Sequence, residues 1–164
     1  MAKTLLIVYH SLTGGTLQMA QATQQGAASE DSCSARLLHA AQAQAADVLQ
    51  ADGYVFAAPE NLAAMSGQLK DFFDRCYYGA LDHVNARPYA SLVCAGSDGQ
   101  GAARQIARIA TGWRLRAVAD PLIVCTHAQT PDAILAPKRI ADTDLGACRA
   151  LGQALAAGLV LGIY

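Results

Sequence analysis

The chain predicts an α/β fold: a single domain on a doubly wound, five-stranded parallel sheet. Compact apolar runs alternate with segments of helical periodicity from one end of the chain to the other. The clearest runs are continuously apolar, as in strands buried on both faces, and do not alternate between core and water. Three loops rich in glycine, hydroxyl and amide side chains follow three of these runs, at the strand ends where doubly wound sheets bind their ligands.

Thr4-Leu5-Leu6-Ile7-Val8-Tyr9 is the first strand, and its unbroken apolar character places it mid-sheet. It leads directly into Ser11-Leu12-Thr13-Gly14-Gly15-Thr16 and then into an alanine- and glutamine-rich helix expected from about Gly15 to Ala27. Unpaired N–H groups at the start of that helix, with the positive end of its dipole, favour an anion held in the turn, most simply a phosphate. The glycines let main chain approach closely and the hydroxyls supply further hydrogen bonds. A hydroxyl that merely caps the helix produces a similar junction. The Walker pattern is excluded because no lysine lies between Lys3 and Lys70, and G-x-G-x-x-G is missing from this turn.

Cys33 to Leu38 suits a short second strand, and Ala43 to Ala51 a helix. Asp52-Gly53 is a turn signal before the third strand, Tyr54 to Ala58, which is expected to stop at Pro59 because proline cannot donate a ladder hydrogen bond. The loop Glu60 to Gly67 then leads into a helix with Leu69, Phe72, Phe73, Cys76 and Tyr77 on one face. Tyr89 to Cys94 is the fourth strand, followed by the loop Gly96 to Gly101 and a helix that turns Ala102, Ile106, Ile109, Ala110 and Trp113 inward. Leu115 to Val118 and Leu122 to Cys125 supply a fifth strand broken around Pro121. Thr126 to Asp144 is a connection long enough to carry function. The tail from Leu145 to Tyr164 reads as a docked helix, since Arg149 and Gln153 leave too short an apolar stretch to span a bilayer.

Hydrophobic residues make up 53% of the chain and charged ones 15%, which suits a compact domain with apolar surface that a homo-oligomer could cover. A net charge of -1 provides no field for nucleic acid or an anionic membrane, so a small molecule is the expected partner. The five cysteines are odd in number and form no C-x-x-C pair, which suits reduced thiols in a cytoplasm. The N-terminus reads as a strand and not as an export signal. The histidines and cysteines lack metal-ligand spacing, so no metal is expected. His10 beside the glycine turn, the Cys125-Thr126-His127 triplet and the Arg104, Arg108, Arg114, Arg116 group are sharper candidates, for ligand contact, nucleophilic chemistry and an additional phosphate respectively. Each also has a plain structural explanation as a strand cap, a strand end or a solvated helix face.

Together these loops resemble a known family. Ser11 to Thr16 matches the flavodoxin phosphate pattern [ST]-x-T-G-x-T in full, and Pro59 to Lys70 resembles the second flavin loop of flavodoxin-fold NAD(P)H-dependent FMN reductases and quinone reductases. Gly96-Ser97-Asp98-Gly99 resembles the third flavin loop of flavodoxins. The resemblance runs from about Lys3 to Cys125 and implies a flavodoxin-like fold. It implies that Ser11, Leu12, Thr13, Gly14, Gly15 and Thr16 hold the FMN phosphate. Pro59, Glu60, Asn61, Leu62, Ala63, Met65 and Gly67 would border the flavin ring, and Gly96, Ser97, Asp98, Gly99 and Gly101 would line its other side. These loops lack the Tyr or Trp with which electron-carrier flavodoxins commonly sandwich the ring, and such carriers are strongly acidic. The implied activity is therefore that of an FMN flavoprotein passing electrons from NAD(P)H to a quinone or other small acceptor. The alternative is an electron carrier serving a partner redox enzyme, and a third reading is a scaffold that has lost flavin. No catalytic side chain is implied, because the cofactor carries the chemistry.

Overall fold

The computed structural model describes residues 2–164. In chain order the elements are β1 (Lys3–Tyr9), α1 (Gly15–Ala27), β2 (Cys33–His39), α2 (Ala45–Gln50), β3 (Gly53–Asn61), β4 (Ala64–Met65), α3 (Gly67–Ala80), β5 (Pro88–Ala95), α4 (Gln100–Gly112), β6 (Arg116–Ala117), β7 (Leu122–Cys125), α5 (Pro131–Leu135) and α6 (Asp142–Leu161). The strands lie in the order β2-β1-β3-β5-β6, with β7 also on β5 and β4 on β3. Every pairing is parallel except the hairpin β3–β4.

Strand alternation sends side chains into two buried layers. Leu6, Val8, Tyr54 and Phe56 pack with α3 and α4, while Leu5, Ile7, Val55 and Ala57 pack with α1 and α6. Phe56 anchors the first layer: Phe73 meets it edge-on at 4.8 Å and Tyr54 stacks at 5.8 Å. Neither face of β1 or β3 is left to water, as their unbroken apolar sequences require.

Seven strands form where five were expected. The expected fifth strand is two short pieces, β6 and β7, both on β5 and interrupted around Pro121. β4 is additional. The third strand does not stop at Pro59; it continues to Asn61, with Pro59 paired to Cys94. The last pair of β3 with β1 is Tyr9↔Ala57, so alternation puts the missing proline donor on the side where β1 has ended. The helix expected over Ala43 to Ala51 is confined to Ala45–Gln50, and the long connection contains α5.

α6, at 20 residues with a mean hydropathy of 1.2, meets the length and composition of a membrane span, contrary to the shorter stretch expected. Here it lies against α1. Backbones touch at two glycines: a Cβ on Gly26 would collide with the Arg149 carbonyl, and one on Gly152 with the Thr23 carbonyl.

Candidate functional site

β1 hands the chain to the first loop at His10, whose N–H donates to the Ala57 carbonyl at 3.0 Å. Gly14 then adopts φ 94°, a left-handed conformation suited to glycine, and its N–H donates to Ser11 Oγ at 3.1 Å. The helix opens at Gly15, so the N–H groups of Gly15, Thr16 and Leu17 have no intrahelical acceptor. No acidic side chain in the first turn opposes the dipole. Thr16 is 1% exposed, and its Oγ1 has no hydrogen-bond partner. Unpaired amides and a buried, unpaired hydroxyl at one helix end form a donor set for an anion.

That loop lines an open cavity of about 90 Å³, through Ser11, Leu12, Thr13, Gly15 and Thr16. Gly15 has no room for a side chain: a Cβ there would press on Cys94 Sγ and lie 3.4 Å from Lys138 Cβ. Burial pushes the Cys94 thiol up from its ordinary pKa, against the opposing effect of Lys138, so the loop rests on a neutral thiol.

The cavity's opposite wall comes from the second loop. Pro59, Glu60 and Asn61 line it, and Gly96 joins from the third loop. Leu62 and Ala63 form the two-residue turn between β3 and β4, at φ 51° and 61°; both lie outside the cavity lining, and Leu62 is fully exposed. Glu60 binds the second loop to the third, since its carboxylate accepts the N–H of Gly99 at 2.9 Å and of Ala102 at 3.0 Å, capping α4. Gly101 abuts the Ala63 carbonyl and Gly99 has φ 82°, so both serve the seam between these loops. Ser97 and Asp98 are exposed and lie outside the cavity lining; Met65 and Gly67 line a separate groove between α3 and α4.

Sequence reasoning missed a further wall. Thr126, Ala128, Ile134 and Lys138, from the connection after β7, line the cavity along with Cys94 and Ala95. This strap is fastened to the first loop: the Lys138 N–H donates to the Thr13 carbonyl at 2.8 Å, and Gln18 Nε2 donates to the carbonyls of Gly14 (2.9 Å) and Lys138 (2.7 Å). Gln18 Oε1 accepts the Ile140 N–H at 3.1 Å. Lys138 Nζ closes the end of α5 by donating to the carbonyls of Ala133, Ile134 and Ala136 at 2.6–2.9 Å. The unusual length of the connection was the only sequence signal for it.

The sharper candidates separate. His10 is buried with its ring 5.7 Å from that of His39 and its Nδ1 unpartnered, and it does not line the cavity. Burial, with His39 adding, lowers its pKa. Cys125 Sγ lies 3.8 Å from the Asp98 carbonyl and makes no hydrogen bond with His127, which is exposed at φ 58°. Arg114 pairs with Asp82; Arg104, Arg108 and Arg116 are exposed and have no carboxylate partner among the described residues.

A family model described as NADPH-dependent FMN reductase matches residues 16–129. A protein of Aquifex aeolicus called flavodoxin is 29% identical over 162 residues, covering 93% of this chain and 84% of its own. Among solved structures, a flavodoxin from the domain Archaea superimposes with a TM-score of 0.79 at 17% identity, covering 96% of this chain and 99% of that one. A flavodoxin, WrbA-like protein from Agrobacterium tumefaciens gives 0.75 at 19% identity, over 98% and 99% of the two chains. These likenesses place the chain among flavodoxin-like folds.

Proposed function

Since the chain belongs to the NADPH-dependent FMN reductase family, we propose that it is an FMN-dependent oxidoreductase that passes electrons from NAD(P)H to a quinone or another small acceptor. The observation that carries this reading is the donor set opening α1: a buried Thr16 hydroxyl without a partner, beside backbone amides that also lack one. A phosphate monoester supplies the acceptors these groups need, and Ser11 and Thr13 add hydroxyls from the same loop. Bound FMN would supply the chemistry, taking two electrons as hydride from the nicotinamide and giving them to the acceptor.

The remaining work falls to the chain. The first loop fixes the phosphate end, Pro59, Asn61 and Gly96 border the cavity mouth, and the strap bearing Ile134 shields one side. No aromatic side chain lines the cavity among the described residues, which leaves space at the mouth for a second flat molecule. Five unpaired cysteine thiols support a reducing compartment such as the cytoplasm.

Purified protein incubated with FMN and desalted is expected to keep a flavin absorption spectrum and to oxidise NADPH when a quinone is added. A colourless protein that takes up no FMN overturns the reading. The electron-carrier reading is favoured by the name of the Aquifex relative and by the exposed apolar side chains of Leu12 and Ile134 in the cavity lining and of Leu62, next in the chain to the lining residue Asn61. A carrier retains FMN but oxidises NADPH only when a partner reductase is supplied.

A further inference from the structure

The strap differs from the other walls of the loop cavity in how it is held. The first loop is carried on α1, and Glu60 ties the second loop to the third. Apart from the bonds of Lys138, residues 128–137 have no hydrogen bond to the body of the protein among the described residues, and α5 within them has no buried residue. The strap is fastened at its two ends. At one, the N–H groups of Thr126 and His127 donate to the carbonyls of Ala95 (2.9 Å) and Gly96 (2.8 Å), and His127 turns the chain at φ 58°. At the other, Pro137 precedes Lys138, whose N–H and carbonyl are held by Thr13 and Gln18. Between the fastenings α5 is a self-contained plate: Thr130 Oγ1 caps its start by accepting the Ala133 N–H at 3.2 Å, and Lys138 Nζ closes its end. A short stiff piece between two bends moves as one body.

The volumes on either side decide the direction. The loop cavity measures about 90 Å³ with the strap in place, well below the roughly 300–1,000 Å³ of small-molecule sites. A second open space, of about 420 Å³, borders the strap at Ala133 and Pro137, and Thr126, Ala128 and Lys138 line both. A swing into that space enlarges the cavity without displacing packed side chains.

We propose that residues 128–137 form a hinged lid on the loop cavity, bending at His127 and Pro137, which lifts to admit the cofactor and on closing returns Ile134 to the cavity wall. That the guest is a flavin rests on the function proposed above; the lid itself rests on how the strap is fastened. It makes the rate of cofactor exchange a property of the strap, separate from the affinity set by the first loop.

Cys94, in the cavity lining and 8% exposed, reports the lid without any flavin. Flavin-free protein is treated with iodoacetamide, and the labelling rate of each cysteine is read by mass spectrometry. Pro137 lies outside the cavity lining, so Pro137→Gly acts on the cavity by loosening one hinge. It is expected to raise the Cys94 rate about two- to fivefold and to leave Cys148, fully buried on α6, as it was. Pro121→Gly, the same change at an exposed position before β7, is expected to leave Cys94 unaffected. An unchanged Cys94 rate, a rise shared by Cys148, or an equal rise in Pro121→Gly overturns the lid. In stopped-flow mixing with FMN, Pro137→Gly is expected to speed both binding and release about two- to fivefold at nearly constant affinity; faster release alone overturns the gating role. The two readings fail separately. A Cys94 rate that answers to Pro137 in a protein that takes up no FMN sinks the flavin reading and leaves the lid standing; FMN uptake with a Cys94 rate indifferent to Pro137 does the reverse.

Discussion

A buried hydroxyl with no partner carries a desolvation cost of about 1–3 kcal/mol, and Thr16 has such a hydroxyl. Thr16→Val keeps the shape and deletes the hydroxyl. The variant is therefore expected to raise the Tm of the flavin-free protein while weakening FMN about tenfold and leaving riboflavin, which has no phosphate, unaffected. Fluorescence titration with the two flavins checks this, and equal losses for both would give Thr16 a purely structural role. His10 makes a pH-dependent contribution of its own. Its folded-state pKa lies below the ordinary 6.5 because the ring is buried, with His39 adding to the effect. As pH falls the unfolded chain takes up the proton first. The neutral ring's contribution is thus complete above about pH 6.5 and is lost as pH falls below it toward the folded-state value. Urea midpoints compared near pH 7 and pH 5.5 should fall less for His10→Phe than for the unmodified chain. Thr16 was legible in the sequence because a local motif frames it. Cys94 and Lys138 were not, since they reach the loop from β5 and the strap, and no local pattern reports a contact made that far along the chain.

The second loop shows how an element can hide from sequence reading. The turn of a two-residue hairpin is usually announced by Asn-Gly, yet here Leu62 and Ala63 adopt left-handed φ values. With that signal absent and Pro59 suggesting a stop, the β3–β4 hairpin read as open loop. Its strain is measurable: Leu62→Asn with Ala63→Gly should stabilise the protein by roughly 1 kcal/mol in urea denaturation. Glu60 acts in the opposite direction. Its carboxylate satisfies two amides at the start of α4, so Glu60→Ala should cost about 1–2 kcal/mol by the same measurement. Its proximity to the cavity was legible in the sequence; its capping of α4 depends on a fold that brings the second and third loops together.

At the scale of the molecule, strand–helix alternation was enough to predict the parallel sheet and the loops gathered at one edge. It was silent on the α1–α6 contact, because Gly26 and Gly152 are informative only once the two helices are known to cross. Gly152→Ala drives a methyl into the Thr23 carbonyl and is expected to cost about 3 kcal/mol or more, read as a lower Tm with FMN present or absent. That crossing also bears on when the protein becomes competent during its synthesis. α1 leaves the ribosome before its supports: the helix that holds it, and the Lys138 carbonyl and Ile140 N–H that bind Gln18 in its first turn, are translated more than a hundred residues later. A nascent chain stalled before α6 would hold the Ser11–Thr16 turn on a half-supported helix, so anion binding at that turn is expected only once α6 has folded against α1.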